Sequence, residues 1–300
     1  MQLMTDGGLW YVMKMPTLDN NKARLKPLLD DLYNKYSLSH LESDPVFFPH
    51  QYKDTLDIEI AGLISSALAY GKVDLFKPKI AYILKVMGRS PSAYISTFDP
   101  AGERRFDSFV YRFNRGPDIV HLLYVIQLII KDSGSIKGFF LKGYSADDPD
   151  IERALSSFVN RILKMRCSEA YPDSRLSDGF RHLFPTPGKG GCKRLNMYLR
   201  WMVRKDSIDF GLWNEIPPSK LIMPIDTHVA RLSGYLGLSK RKSVDWKMAN
   251  EVTGALKMLD PQDPVKYDFA LSRLGILNEC PAKRDESKCR ECGIRWVCVR

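Results

Sequence analysis

Apolar residues recur at helical spacing along most of the chain, and that spacing limits the fold more than any other feature. Leu25, Leu28, Leu29, Leu32, Tyr33 and Tyr36 form one stripe, and Ile60, Leu63, Ile64, Ala67 and Leu68 form another that ends at Gly71. Ile80, Ile83, Leu84 and Met87 follow, stopped by Gly88, and then Ile119, Leu122, Leu123, Ile126 and Ile130. Steps of three and four place such residues on one face of a helix. Asp148 is expected to cap a further helix, with Pro149 at its first position and Ile151, Leu155, Phe158, Val159 and Ile162 on its inner face. Asp263 and Pro264 repeat that start signal. Alternating strand patterns are nearly absent, so the predicted fold class is all-α.

A chain of 300 residues with 44% apolar and 27% charged content can bury a full core and suggests two domains. The formal net charge of +10 and pI of about 9.2 favour a polyanionic partner. The longest apolar run, 119–130, is interrupted by His121 and Gln127 and is too short to cross a bilayer, so it reads as a core helix. The opening residues, "MQLMTDGGLWYVMKMP", lack a basic leader and a small-residue cleavage site. A cytoplasmic protein without membrane contact is expected.

Cys280, Cys289, Cys292 and Cys298 form C-x8-C-x2-C-x5-C, whereas Cys167 and Cys192 stand apart as ordinary thiols. Clustering of this kind in a cytoplasmic chain reads as metal ligation rather than a disulfide framework. Spacing alone leaves zinc and an iron–sulfur cluster equally open.

Two further stretches carry chemistry. "PTPGKGGCKRLNMYLRW" is a glycine-rich turn entering a helix. Gly188, Lys189, Gly190 and Gly191 would let the backbone approach a phosphate at the helix start. Leu195, Tyr198, Leu199 and Met202 should face the core, leaving Lys193, Met197, Arg200 and Arg204 on another face. The bland alternative is a solvated basic helix. "MPIDTHVARL" starts a helix at Asp226, where a carboxylate is expected to act as N-cap. His228 has no second ligand at metal spacing and reads as structural or nucleic-acid-contacting, with Arg231 on the same helix. In the first half, His50, Asp54, Asp57 and Glu59, with Arg112 and Arg115, read as caps and surface ion pairs, or else as pocket residues.

In order, the glycine turn with its lysine, "IDTHVARL" and the terminal cysteines resemble the helix-hairpin-helix DNA glycosylases of the endonuclease III superfamily. That superfamily has L-P-G-V-G-R-K, V-D-T-H and C-x6-C-x2-C-x5-C in the same order. "DPVFFPHQY", "AYGKV", "CKRLNMYLRWMVRKD" and "DTHVARL" resemble a narrower prokaryotic family of unassigned function, domain-of-unknown-function family 2400, over about residues 25–280. The superfamily likeness is strongest over 185–298. This chain departs from it in a longer hairpin, a longer first cysteine gap and a long Lys193–Asp226 separation. Ser65, Ser66 and Ala67 stand where the superfamily has a strand-wedging glutamine.

The resemblance implies a helical barrel domain, 58–205, ending in the lysine hairpin. A second helical domain, 206–300, would carry the cysteines and pack with the N-terminal segment, 1–57. It implies Lys193 as nucleophile and Asp226 as catalytic carboxylate, with Lys205 and Lys220 as rival lysines, and DNA contacts from Gly188, Lys189, Gly190, Gly191, Arg194, Arg200, Arg204, His228 and Arg231. The cysteines would hold a [4Fe–4S] cluster, with zinc as the alternative. Lys283, Arg284, Lys288, Arg290 and Arg295 would then meet DNA phosphates beside it.

The activity implied is excision of a damaged base from double-stranded DNA by a monomer, with or without strand cleavage. A free lysine is neutral only roughly once in 2,500 molecules at pH 7. A nucleophilic lysine therefore needs desolvation, neighbouring cations such as Arg194, or a carboxylate to take its proton. The target base must leave the stack. Tyr70, Phe113, Trp201 and Trp213 are candidate pocket aromatics, although each reads first as core. A non-catalytic module that binds nucleic-acid structure, or an RNA-directed enzyme, are the rival readings.

Overall fold

The computed structural model describes residues 18–36, 38–173, 175–188 and 190–299. The opening residues and Lys189 therefore lie outside the described residues. Helices dominate, as expected of an all-α chain, and no described helix is long and apolar enough to cross a membrane.

In chain order the helices are α1 (Leu18–Lys35), α2 (Thr55–Leu68), α3 (Val73–Met87) and α4 (Pro91–Ser96). A small antiparallel hairpin follows, β1 (Val110–Tyr111) and β2 (Asn114–Arg115). Then come α5 (Gly116–Ser133), α6 (Ile136–Leu141), α7 (Glu152–Ile162), α8 (Asp178–Leu183) and α9 (Lys193–Val203). The chain closes with α10 (Thr227–Tyr235), α11 (Trp246–Lys257), α12 (Asp268–Ile276) and α13 (Glu286–Glu291). The hairpin is unannounced by any alternation, because each strand is only two residues long.

Two expected helix starts move. Asp150, not Asp148, accepts the N–H of Glu152 at 2.8 Å, and α7 begins there. Asp263 caps no helix: α12 begins at Asp268, and Asp263 instead receives Arg204 at 2.9 Å. The loop-rich segment 167–191 also contains α8, whose first turn is capped by Ser177 Oγ accepting from Phe180 N at 2.9 Å.

Helix α2 is buried from Asp57 to Leu68 and packs on α9. A side chain at Gly62 would stand 3.1 Å from Met202 Cε and 3.2 Å from Tyr198, so glycine sets how closely the two helices approach. Glu59 is buried between them. Its carboxylate accepts the Ile136 N–H at 2.8 Å and the Trp213 indole N–H at 2.8 Å, tying α2 to the start of α6 and to the segment after α9. Burial raises its pKa, opposed by those donors.

The other titratable residues of this half are ties of the same kind. Asp54 caps α2, and Asp57 accepts the Ser92 N–H at 2.6 Å at the start of α4. His50 Nε2 donates to the Ile208 carbonyl at 2.7 Å. Trp201 and Trp213 are wholly buried and belong to the core, not to a pocket. Ser65 and Ser66 are equally buried, so neither projects as a wedge.

Candidate functional site

The glycine turn places Lys193. Gly188 has φ +87 and is exposed, while Cys192, at φ +46, is a non-glycine residue in the left-handed region. Such a residue costs on the order of 1–3 kcal/mol unless its surroundings fix it. Cys192 is fixed by burial, which pushes its thiol up to about 12 and leaves it inert. Helix α9 begins at the next residue, Lys193.

The Lys193 side chain is half-buried, and its Nζ contacts the Met197 thioether at 3.2 Å. A thioether is a weak acceptor. Among the described residues no carboxylate stands within ion-pair distance of this amine. Lys220 differs: its amine donates to the carbonyls of Ala146, at 3.0 Å, and Asp148. Lys205 is exposed on the turn beyond α9.

Asp226 caps α10 as expected. Both cap bonds, from His228 N and Val229 N at 2.8 Å each, fall on Oδ1. Among the described residues Oδ2 accepts no hydrogen bond. The glycine turn abuts this start, since a side chain at Gly191 would stand 3.8 Å from the Ile225 carbonyl oxygen.

Asp268, the first residue of α12, feels the charge of both Lys193 and Asp226. Its carboxyl is buried and bonded to Arg200. Burial pushes its pKa up to about 6; Arg200 and Lys193 pull it down, while Asp226 and Asp44 push it up. The charges of Lys193 and Asp226 thus both reach this buried carboxyl. Nothing local in "KYDFAL" marks Asp268, because its role depends on α9 and α10 arriving beside it.

The arginines of α9 correct the sequence reading. Arg194, Arg200 and Arg204 are only 8%, 3% and 4% exposed, so none is a surface phosphate contact. Arg200 pairs with Asp268 and with Asp209 at 3.2 Å; Arg204 pairs with Asp209, with Asp206 at 2.9 Å and with Asp263 at 2.9 Å. Burial lowers the pKa of Arg204, but Asp209, Asp263 and Asp206 more than offset it and hold it above its ordinary value. Arg194 donates to the carbonyls of Ala67 and His182 and lies 4.9 Å from the Tyr70 ring centroid. Burial brings its pKa down to about 10, still charged at neutral pH.

On α10, His228 packs against Gly275 of α12, where any side chain would collide with the ring. Arg231 is half-buried and donates to the Cys280 carbonyl at 2.6 Å, so it ties α10 to the cysteine loop instead of reaching outward.

The four cysteines line one cavity of about 400 Å³, with Leu232 and Tyr235 of α10 along its wall. Burial and the nearby Cys280, Cys298 and Cys289 push the Cys292 thiol up, which reports that the sulfurs share a site. Among the described residues, no three side chains converge tightly enough for a single metal ion. Lys283, Arg290 and Arg295 are exposed around the cavity, whereas Lys288 donates to the Asn278 carbonyl at 2.7 Å.

The sequence matches the family described as "Protein of unknown function (DUF2400)" over residues 44–277. The chain belongs to that family. The family segment contains the glycine turn, Lys193, Asp226 and Asp268, and it ends before the cysteines. No curated protein and no solved structure matches the chain.

Proposed function

We propose that this member of the family acts on nucleic acid as a base-excising glycosylase, with Lys193 as nucleophile and Asp226 as the carboxylate that serves it. The observation that carries the reading is the placement of Lys193. Its amine sits half-buried on a thioether just after a glycine turn, and its charge, like that of Asp226, reaches the buried Asp268 carboxyl.

The Lys193 ammonium gives a proton to the free Oδ2 side of Asp226. The neutral nitrogen then bonds to the sugar C1′ as the glycosidic bond breaks. The base leaves with that electron pair and takes the proton Asp226 received, and the Asp226 carboxylate then takes the proton that the new secondary ammonium gives up and passes it to the ring oxygen. Opening of the sugar ring gives a Schiff base, from which elimination can cut the strand. A carboxylate beside C1′ also stabilises the cationic sugar of the transition state.

The same reading assigns Cys280, Cys289, Cys292 and Cys298 to a [4Fe–4S] cluster. Bound there, the cluster would have a structural role, holding the loop that Arg231 ties to the helix capped by Asp226. The scaffold proposed is a helix-hairpin-helix arrangement, with the barrel in 58–205 and the cluster domain in 206–300 joined by 1–57. Double-stranded DNA with a lesion or abasic site is the proposed partner.

Borohydride trapping on abasic-site duplex tests the chemistry. Wild type should form a covalent adduct and Lys193→Ala should form none; equal trapping by both overturns the assignment. Asp226→Asn should abolish excision from oxidised-base duplex with little change in binding. Tight, salt-sensitive binding without adduct or excision on any lesion would favour a non-catalytic module. Preference for RNA competitors would redirect the substrate.

A further inference from the structure

The β1–β2 hairpin presents an exposed aromatic ring on a rigid pedestal. Phe113 is 58% exposed, although the chain has ample core to bury it. Its neighbour Arg112 has φ +50, a conformation that an arginine adopts only at a cost. The turn is held there from several sides. Tyr70 donates to Asn114 Oδ1 at 2.5 Å, Asn114 Nδ2 donates to the Gly179 carbonyl at 2.8 Å, and Arg115 N donates to Asp118 at 2.7 Å. Any side chain at Gly179 would collide with the Phe113 carbonyl, so the hairpin sits directly on α8.

The rings are ordered behind Phe113. Tyr70 is nearly parallel to it, at 20° and 6.3 Å, and His182 lies 4.9 Å away. The Arg112 guanidinium lies 5.9 Å from both the Tyr70 and the Phe113 centroids, over Gly71. Burial, with Arg194 and Arg112 alongside, lowers His182 to about 4, so it is a neutral ring at physiological pH. On its other side Tyr70 rests against Arg194, the residue after Lys193. A flat, apolar, cation-flanked ring is the chemistry that holds a nucleobase, and every base offers it a π-face. Arg112 beside it, with Arg115 exposed two residues on, suits a strand carrying phosphates.

We infer that Phe113, backed by Tyr70 and flanked by Arg112, is a stacking site for an unpaired nucleobase next to the Lys193 turn. The inference rests on the nucleic-acid reading above, though not on catalysis by Lys193.

The test compares a duplex carrying one bulged 2-aminopurine with its fully paired counterpart, read by 2-aminopurine emission and by anisotropy. Wild type should quench the bulged base and bind that duplex preferentially. Phe113→Ala should weaken bulged-duplex binding about tenfold, about 1.4 kcal/mol, and leave paired-duplex binding within about twofold. Phe113→Trp should restore quenching, and Arg112→Ala should weaken both duplexes. Thermal unfolding confirms that each variant is folded. Unchanged bulge affinity in Phe113→Ala, or equal losses on both duplexes, overturns the stacking site. If that happens while wild type still forms the borohydride adduct, the glycosylase reading survives alone. Quenching lost in Phe113→Ala but kept in Lys193→Ala, with no adduct from wild type, supports the stacking site alone.

Discussion

Helix α9 and the cysteine segment after α12 are both rich in basic residues, and the fold treats them in opposite ways. In α9 the arginines turn inward, where Asp206, Asp209, Asp263 and Asp268 meet Arg200 and Arg204. From 281 to 299 the bases mostly point outward, and only Ile294 and Val297 are buried. Its ties to the rest of the fold include Cys280 N to the Leu274 carbonyl and Val299 N to the Tyr235 carbonyl, each 2.8 Å, Arg231 to the Cys280 carbonyl and Lys288 to the Asn278 carbonyl. Helix α9 is thus held by packing and paired charge. The cysteine loop buries little apolar surface of its own, so a group held by the thiols would affect its order more than that of α9.

The largest expected effect separates the two regions outright. Purified protein should be brown, with about four iron atoms per chain. Cys289→Ala combined with Cys292→Ala should remove the iron and make 280–299 sensitive to protease. The α2–α9 core should stay protected in hydrogen exchange. Simultaneous loss of protection in α9 would break the contrast.

Arg204→Ala should be the next largest, because it leaves buried carboxylates without their partner. A loss of about 3–5 kcal/mol is expected in chemical denaturation, with iron content per folded chain unchanged. A loss below about 1 kcal/mol would mean that the network is solvated and α9 is less internal than described.

The pH dependence sharpens the same point. The folded pKa of Asp268, about 6, is raised above its ordinary value of 3.8. Its contribution to stability is therefore fully present below pH 4 and is lost as pH rises through 6, on the order of 3 kcal/mol. Asp268→Asn, which mimics the protonated carboxyl, should lack this decline between pH 4 and 7. A parallel decline in the variant would assign the titration to another group. The smallest effect expected is that of Gly62→Val, about 1–3 kcal/mol from overpacking between α2 and α9. No measurable change would show that the helices can separate freely.

The sequence pattern was legible where the information is local. The stripes through Leu25–Tyr36, Ile60–Leu68 and Ile80–Met87 became helices, Gly88 ended one of them, and Asp226 caps α10. The start of α9 at Lys193 followed from the glycine turn. The reading failed where a residue's role depends on distant partners. Arg200 and Arg204 read as solvated because helical periodicity assigns one inner face, whereas α9 is enclosed on more than one side. Their acids are spread from 206 to 268, which no helical spacing connects. Asp148 and Asp263 looked like caps because an Asp-Pro pair favours a helix start, but tertiary bonding moved both boundaries.

The sequence alone therefore determined the helical class, the grouping of four cysteines and the position of one lysine after a glycine turn. Periodicity, clustering and turn chemistry act over only a few residues, so they can be read without a fold. Only the tertiary structure decided that the arginines of α9 are internal, that charge from both Lys193 and Asp226 reaches the buried Asp268, and that Phe113 stands exposed on a braced hairpin. Those three facts depend on burial and on charges brought together across the chain, and such proximity exists only once the helices have packed.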